Sequence, residues 1–306
     1  MHLDRNIFYF FRFVENPEKA NDVLIKIKKA FFIGGITLFL LMLVTGCVDN
    51  RIKTAREIAQ KGKLTEKNIA TSEFSFKTWQ RITAPSRPIT VYIEGDGLAW
   101  LTRYQPSPDP TPNNPVALRL AALDPGSNVV YIARPCQYIG LESNPACKVT
   151  YWTNKRFSID VINAISTVLD DVKKSASATE LHLVGYSGGG AIAALLAEKR
   201  KDISSLRTVA GYLDTEYVNH LHHVSPMYES LNPVDKAYKL ALIPQIHFSG
   251  ARDTLITPEV AQQFIHKTGN RCARVILVPE MTHQGPWESQ WLTLLKKTPG
   301  CSKGDE

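Results

Sequence analysis

Short apolar runs alternate along the chain with stretches in which apolar residues recur every three or four positions. Pro88–Glu94 (PITVYIE), Asn128–Ala133 (NVVYIA), Leu181–Gly185 (LHLVG), Leu206–Leu213, Pro244–Gly250 and Arg274–Val278 are the candidate strands. Several are near-continuous apolar runs, as parallel strands covered on both faces require. Between Ile159 and Lys174 the apolar positions 161, 162, 165, 168, 169 and 172 fall on one stripe of a 3.6-period helix. Strand and helix in alternation predict an α/β protein with a mostly parallel, doubly wound sheet. Tyr104–Pro115 (YQPSPDPTPNNP) holds five prolines, which excludes a central strand or helix. It is expected on the surface, either bordering a pocket or acting as a rigid connector.

The first 72 residues do not follow this alternation. Ala30 to Val48 are 19 consecutive uncharged residues, preceded by Lys26, Lys28 and Lys29, a basic flank and apolar stretch of the membrane-targeting kind. Val44-Thr45-Gly46-Cys47 resembles the lipobox of bacterial lipoproteins, in which the signal peptide is cut before the cysteine and that cysteine is lipidated. The 15 residues from Ala30 to Val44 suit a signal peptide better than a bilayer span; a single N-terminal transmembrane anchor is the alternative. Val48 stands where an Asp would resemble an inner-membrane retention signal, which favours the outer membrane. Residues 48–72 are polar and charged without a core-forming period. The expected organisation is a signal segment over 1–46, a lipid-anchored tether over 47–72 and one folded domain over 73–306.

Composition and charge sharpen this division. The 306 residues are 44% hydrophobic and 21% charged, which excludes disordered, collagenous and coiled-coil chains. The formal net charge of +7 would suit a nucleic-acid partner, but residues 1–70 carry +5 of it and residues 71–306 only +2. Within the folded part only the short Lys199-Arg200-Lys201 run is basic, and it is expected to be a solvated helix end. No nucleic-acid partner is expected. With Cys47 assigned to the lipid, Cys136, Cys147, Cys272 and Cys301 remain, an even set that suggests two disulfides in an oxidising compartment. Cys136 with Cys147 and Cys272 with Cys301 are preferred, because each closes a local loop.

The candidate chemistry begins at Gly185-Tyr186-Ser187-Gly188-Gly189. This GxSxG follows the apolar run LHLVG and opens the Ala-rich stretch AIAALLAEKR, so Ser187 is predicted on a tight strand-to-helix turn. There its hydroxyl stands near a helix N-terminus, where a developing anion is favoured. From about residue 88 to 297 the chain resembles the α/β-hydrolase family of serine hydrolases. The resemblance implies a single α/β-hydrolase domain with its triad in the order Ser, acid, His. Asp253, in FSGARDTLITP, and His283, in VPEMTHQGPW, match those positions. Asp214, after RTVAGYL, is the alternative acid, and Glu280 lies too near His283 to be preferred. The oxyanion hole is expected from the backbone N–H of Gly188 and one from Asp96 or Gly97, in Glu94-Gly95-Asp96-Gly97-Leu98. The family often carries His-Gly at that place, and here the residues are Glu94-Gly95.

His220, His222 and His223 could suggest a metal, but no accompanying Cys or carboxylate spacing supports one, so no metal or cofactor is expected. The function expected is a carboxylesterase-like acyl hydrolase that works through an acyl-enzyme on a small-molecule ester or acyl substrate. It would be held at the bacterial membrane by its N-terminal lipid. No long apolar insertion resembles a lipase lid, which favours a soluble substrate. The alternative is a non-catalytic envelope lipoprotein that keeps the hydrolase fold as an interaction module.

Overall fold

The computed structural model describes residues 50–269 and 271–302. The chain divides into two compact units, Met1–Ile52 and Lys53–Glu306, and every element below belongs to the second. The expected signal segment and Cys47 lie outside the described residues.

An eight-stranded sheet carries the fold. Its strands are β1 (Thr65–Ala70), β2 (Ser75–Ile82), β3 (Ile89–Ile93), β4 (Asn128–Ile132), β5 (Leu181–Tyr186), β6 (Ile203–Val209), β7 (Gln245–Gly250) and β8 (Ala273–Val278). They lie in the order β1-β2-β4-β3-β5-β6-β7-β8. The pairs β1–β2 and β2–β4 are antiparallel and all others parallel. Among the helices are α1 (Val116–Leu123), α2 (Ile159–Ala176), α3 (Gly188–Lys199), α4 (Thr215–Leu221), α5 (Pro258–Thr268) and α6 (Trp291–Leu295). The α/β-hydrolase architecture expected from the sequence, a mostly parallel doubly wound sheet, is the one observed.

Alternation along β3 distributes the helices between the two faces. Ile89, Val91 and Ile93 point into a cluster that holds the apolar stripe of α2 together with Ile192 and Leu196 of α3 and Val260 and Phe264 of α5. Tyr92 points the other way, edge-on to Trp291 of α6, and its hydroxyl donates to Asp124 Oδ2 at 2.7 Å, just beyond α1. Helix α2 buries Val161, Ile162, Ile165, Val168, Leu169 and Val172, the stripe expected from the sequence. Ser158 caps it by accepting from the Val161 N–H. Asp160 in the first turn and Lys173 and Lys174 in the last complement the helix dipole.

Two expectations are corrected. The tether expected over 47–72 is folded from Lys53 on: residues 53–61 are helical with Ala55, Ile58 and Ala59 buried, and Thr65–Ala70 pairs with β2 as an edge strand. An edge strand keeps most side chains in water, and in β1 only Ile69 is buried, so its sequence carries little apolar signal. The strand expected at Leu206–Leu213 is Ile203–Val209. Tyr212 and Leu213 are buried because the chain turns inward beneath Ser187, where the Tyr212 N–H donates to the Ser187 carbonyl at 3.0 Å.

The four cysteines pair as preferred, Cys136 with Cys147 and Cys272 with Cys301. Among the described residues no helix is long and apolar enough to cross a membrane.

Candidate active site

Strand β5 ends at Tyr186 and α3 begins at Gly188, so Ser187 alone makes the turn. Its φ of 50° and ψ of −120° are rarely adopted by a residue with a side chain, a strain of about 1–3 kcal/mol that persists only where the surroundings hold it. They do so here. The Ser187 N–H donates to Val209 O at 2.9 Å, and its carbonyl accepts from Gly190 N at 2.8 Å and Tyr212 N at 3.0 Å. Small residues let the turn close: a Cβ on Gly189 would overlap the carbonyl oxygen of Ile93, and one on Gly188 would overlap the Asp96 carboxylate. The hydroxyl is thereby held at the end of β5 and at the start of α3.

Asp253 follows β7 and His283 lies in the loop after β8. The His283 Nδ1 to Asp253 Oδ2 distance is 2.8 Å, and the His283 Nε2 to Ser187 Oγ distance is 3.0 Å. Asp253 is locked from behind, since its Oδ1 accepts from Leu255 N at 2.9 Å and Ile256 N at 2.8 Å. With Nδ1–H donated to Asp253, Nε2 is left to accept the hydroxyl proton of Ser187, an arrangement able to turn that hydroxyl into a nucleophile. The imidazole is placed by its own backbone: the His283 carbonyl accepts from Tyr186 OH at 3.2 Å and Trp287 Nε1 at 3.0 Å. The Tyr186 ring lies 5.6 Å from the imidazole.

The loop after β3 comes to the other side of Ser187. Among the described residues the backbone N–H groups of Asp96, Gly97 and Gly188 have no hydrogen-bond partner. Glu94, fully buried, fastens the loop. Its Oε1 accepts from Gly95 N at 2.9 Å and Ala117 N at 3.3 Å, and its Oε2 from Leu118 N at 3.4 Å and Tyr131 OH at 3.1 Å. Burial pushes the Glu94 carboxyl up to about 7, against these donors, which pull it down. Glu94 thus ties the loop to the N-terminus of α1. Gln137, after β4, donates to Gly95 O at 3.1 Å.

Asp96 is held by two arginines, Arg134 at 3.0 Å and Arg156 at 3.4 Å. Both guanidiniums lie 5.4 Å from the centre of the Phe157 ring. These arginines and Gln137 were not singled out in the sequence. They come from separate loops, and no spacing between positions 134, 137 and 156 announces that they meet.

Ser187, His283, Asp96, Gly97 and Arg156 open on one cavity of about 500 Å³, which Trp100, Val224 and Leu255 also line. Pro112, Asn113 and Asn114 line it, so the proline-rich segment borders the pocket. A second cavity of about 580 Å³ reaches Thr215 and Glu216 of α4 and contains none of these five residues.

The remaining candidates lie elsewhere. Asp214 caps α4, accepting from Tyr217 N at 3.0 Å, and Asn232 Nδ2 donates to it at 3.3 Å. Glu280 is exposed and paired with Arg252. His222 Nε2 donates to Leu255 O at 2.7 Å, and Arg103 donates to the carbonyls of His222 and His223. Among the described residues no group of three or more His, Cys, Asp or Glu is arranged to hold a metal.

No curated protein matches this chain. Its fold is similar to that of Est1E from Butyrivibrio proteoclasticus, with TM-score 0.52, 14% identity, 76% of this chain and 98% of that chain covered. It is also similar to an esterase from Pyrococcus furiosus, with TM-score 0.51, 13% identity, 76% and 90% covered. An acylaminoacyl peptidase from Pyrococcus horikoshii has TM-score 0.56 and 11% identity, with 79% and 43% covered. At these identities the likeness is one of fold. The family described as serine hydrolase (FSH1) matches residues 129–293, more than half of the chain and including Ser187, Asp253 and His283. The chain therefore belongs to the FSH1 family of serine hydrolases.

Proposed function

We propose that the protein is a carboxylesterase-like acyl hydrolase in which Ser187 is the nucleophile, His283 the general base and acid, and Asp253 the group that orients His283. The observation that carries this is the unbroken chain of hydrogen-bonding distances from Ser187 Oγ through His283 to Asp253. Ser187 Oγ attacks the substrate carbonyl carbon while its proton passes to His283 Nε2, and Asp253 stabilises the resulting imidazolium. The carbonyl oxygen becomes an oxyanion. The Gly188 N–H, at the N-terminus of α3, and the N–H of Asp96 or Gly97 receive it. Collapse breaks the bond to the leaving oxygen, which takes the proton from His283, and leaves an acyl ester on Ser187. Water, deprotonated by His283, attacks that ester and restores the serine.

An ester substrate is preferred to an amide, and a cavity of about 500 Å³ suits a small molecule. The test is rapid-mixing kinetics with 4-nitrophenyl butyrate. A burst of nitrophenolate equal to the enzyme concentration is expected, followed by slower turnover. Turnover in wild-type protein that is independent of Ser187 contradicts the reading.

The rest of the chain belongs to the same proposal. Residues 1–46 are a signal peptide, Cys47 becomes the lipidated N-terminus, and the outer membrane holds the folded unit in the envelope. The two disulfides support this placement, because such bonds persist in oxidising compartments. Growth with labelled palmitate should mark the wild-type protein and leave Cys47→Ala unmarked.

A further inference from the structure

The catalytic cavity carries more positive charge in its wall than acyl transfer to serine requires. Arg156 lines it together with Ser187, and its side chain is 14% exposed. The Asp96 carboxylate divides its two oxygens between two guanidiniums, Oδ1 facing Arg134 at 3.0 Å and Oδ2 facing Arg156 at 3.4 Å. One carboxylate thus faces two permanent cations. Glu94, the other acid in the wall, is fully buried, spends its acceptors on four donors of the protein, and is raised to about 7 by burial, so it offsets only part of the excess.

The Arg156 guanidinium is also firmly oriented. It lies over the Tyr212 ring at 5.3 Å and against Phe157 at 5.4 Å, and it interacts with the Tyr212 hydroxyl. Yet its Nε is buried without a partner, and its ion pair with Asp96 is the longer of the two. A rigid, incompletely neutralised guanidinium fork in a partly dry cavity is built to take a planar anion. Burying such a charge is costly until one arrives.

We propose that Arg156 forms an anion subsite beside Ser187, and that the preferred substrates are esters carrying a carboxylate within reach of it. This rests on the hydrolase reading and narrows its substrate class. The carboxylate would sit against the guanidinium while the scissile carbonyl lies over Ser187 Oγ, so Arg156 selects the substrate without taking part in the bond changes.

The experiment compares matched esters with the charge on either side of the scissile bond. One pair is 4-nitrophenyl hydrogen glutarate and 4-nitrophenyl butyrate; the other is 4-acetoxybenzoate and phenyl acetate. In at least one pair the wild-type protein is expected to prefer the carboxylate-bearing ester by about tenfold or more in kcat/KM, the usual worth of a hydrogen bond to a charged group. Arg156→Gln should abolish that preference, read as the ratio of kcat/KM within each pair so that any loss common to both esters cancels, and Arg156→Lys should retain part of it. Equal or better use of the neutral esters by the wild type overturns the subsite, as does a preference that survives in folded Arg156→Gln.

Calorimetric binding of 4-nitrophenyl hydrogen glutarate to Ser187→Ala separates the two readings. Binding that depends on Arg156, in a protein whose wild type turns over no ester, would uphold the subsite and defeat the esterase. Turnover of neutral esters without any carboxylate preference would do the reverse.

Discussion

Asp253 and Asp214 illustrate how similar carboxylates acquire different work. Both follow a strand of the sheet. Asp253 Oδ2 faces His283 at 2.8 Å, whereas Asp214 accepts from the first turn of α4. Asp253→Asn should therefore lower kcat about 10³- to 10⁴-fold, because an amide no longer fixes the imidazole tautomer. Asp214→Asn, which remains a competent helix cap, should leave kcat within about twofold of wild type; steady-state kinetics of the two variants checks both. Glu94 supplies a pH signature. Its carboxyl is raised from 4.5 to about 7, first by burial, so between those values the folded chain holds a proton that the unfolded chain has released. Stability from this group is fully present below pH 4.5 and falls as pH rises to about 7, by about 3 kcal/mol in all. Urea unfolding at pH 5 and pH 8 should show most of that loss in wild type and its absence in Glu94→Gln. An identical pH dependence in both proteins contradicts the assignment.

Elements differ in how plainly the sequence announces them. Helix α2 was legible because its buried positions follow the 3.6 period, and the inner strands β3 to β7 because both faces are covered; β2 was not expected, since Lys77, Thr78, Gln80 and Arg81 break up its apolar pattern. The boundary of β6 slipped because Tyr212 and Leu213 are as apolar as a strand residue yet pack in the turn beneath Ser187. Strand β1 was missed because burial, which writes the apolar pattern, touches mainly Ile69. At the site, Ser187, Asp253 and His283 were singled out from the GxSxG motif and the triad order of the resembled family, and they lie within hydrogen-bonding distance of one another in the order Ser187–His283–Asp253. Arg134, Gln137 and Arg156 were not, since they converge on the loop after β3 only through the fold. The packing of α2 gives an element-level test. Leu169 is fully buried in the core cluster, so Leu169→Ala should cost about 2–5 kcal/mol in urea unfolding while leaving KM unchanged in the folded protein. A loss under about 1 kcal/mol would contradict the packing described.

At the scale of the molecule, a crosslink and the residues that brace the candidate site meet in the loop after β4. Cys136 follows β4 next to Arg134 and Gln137 and is tied to Cys147 across 11 positions. Closing a loop of that size stabilises by about 3 kcal/mol in the chain-entropy view. Replacing both cysteines by serine should lower the unfolding free energy by about that amount and loosen the loop that braces Gly95 and Asp96. Reduction of the wild type should reproduce part of the effect. The proposed hydrolase requires this sheet to present one activated serine. Labelling with a fluorescent phosphonate probe tests it most directly. Wild-type protein should be modified once, at Ser187, with loss of all esterase activity, and folded Ser187→Ala should take no label and turn over no ester. Labelling or turnover that persists in folded Ser187→Ala would contradict it.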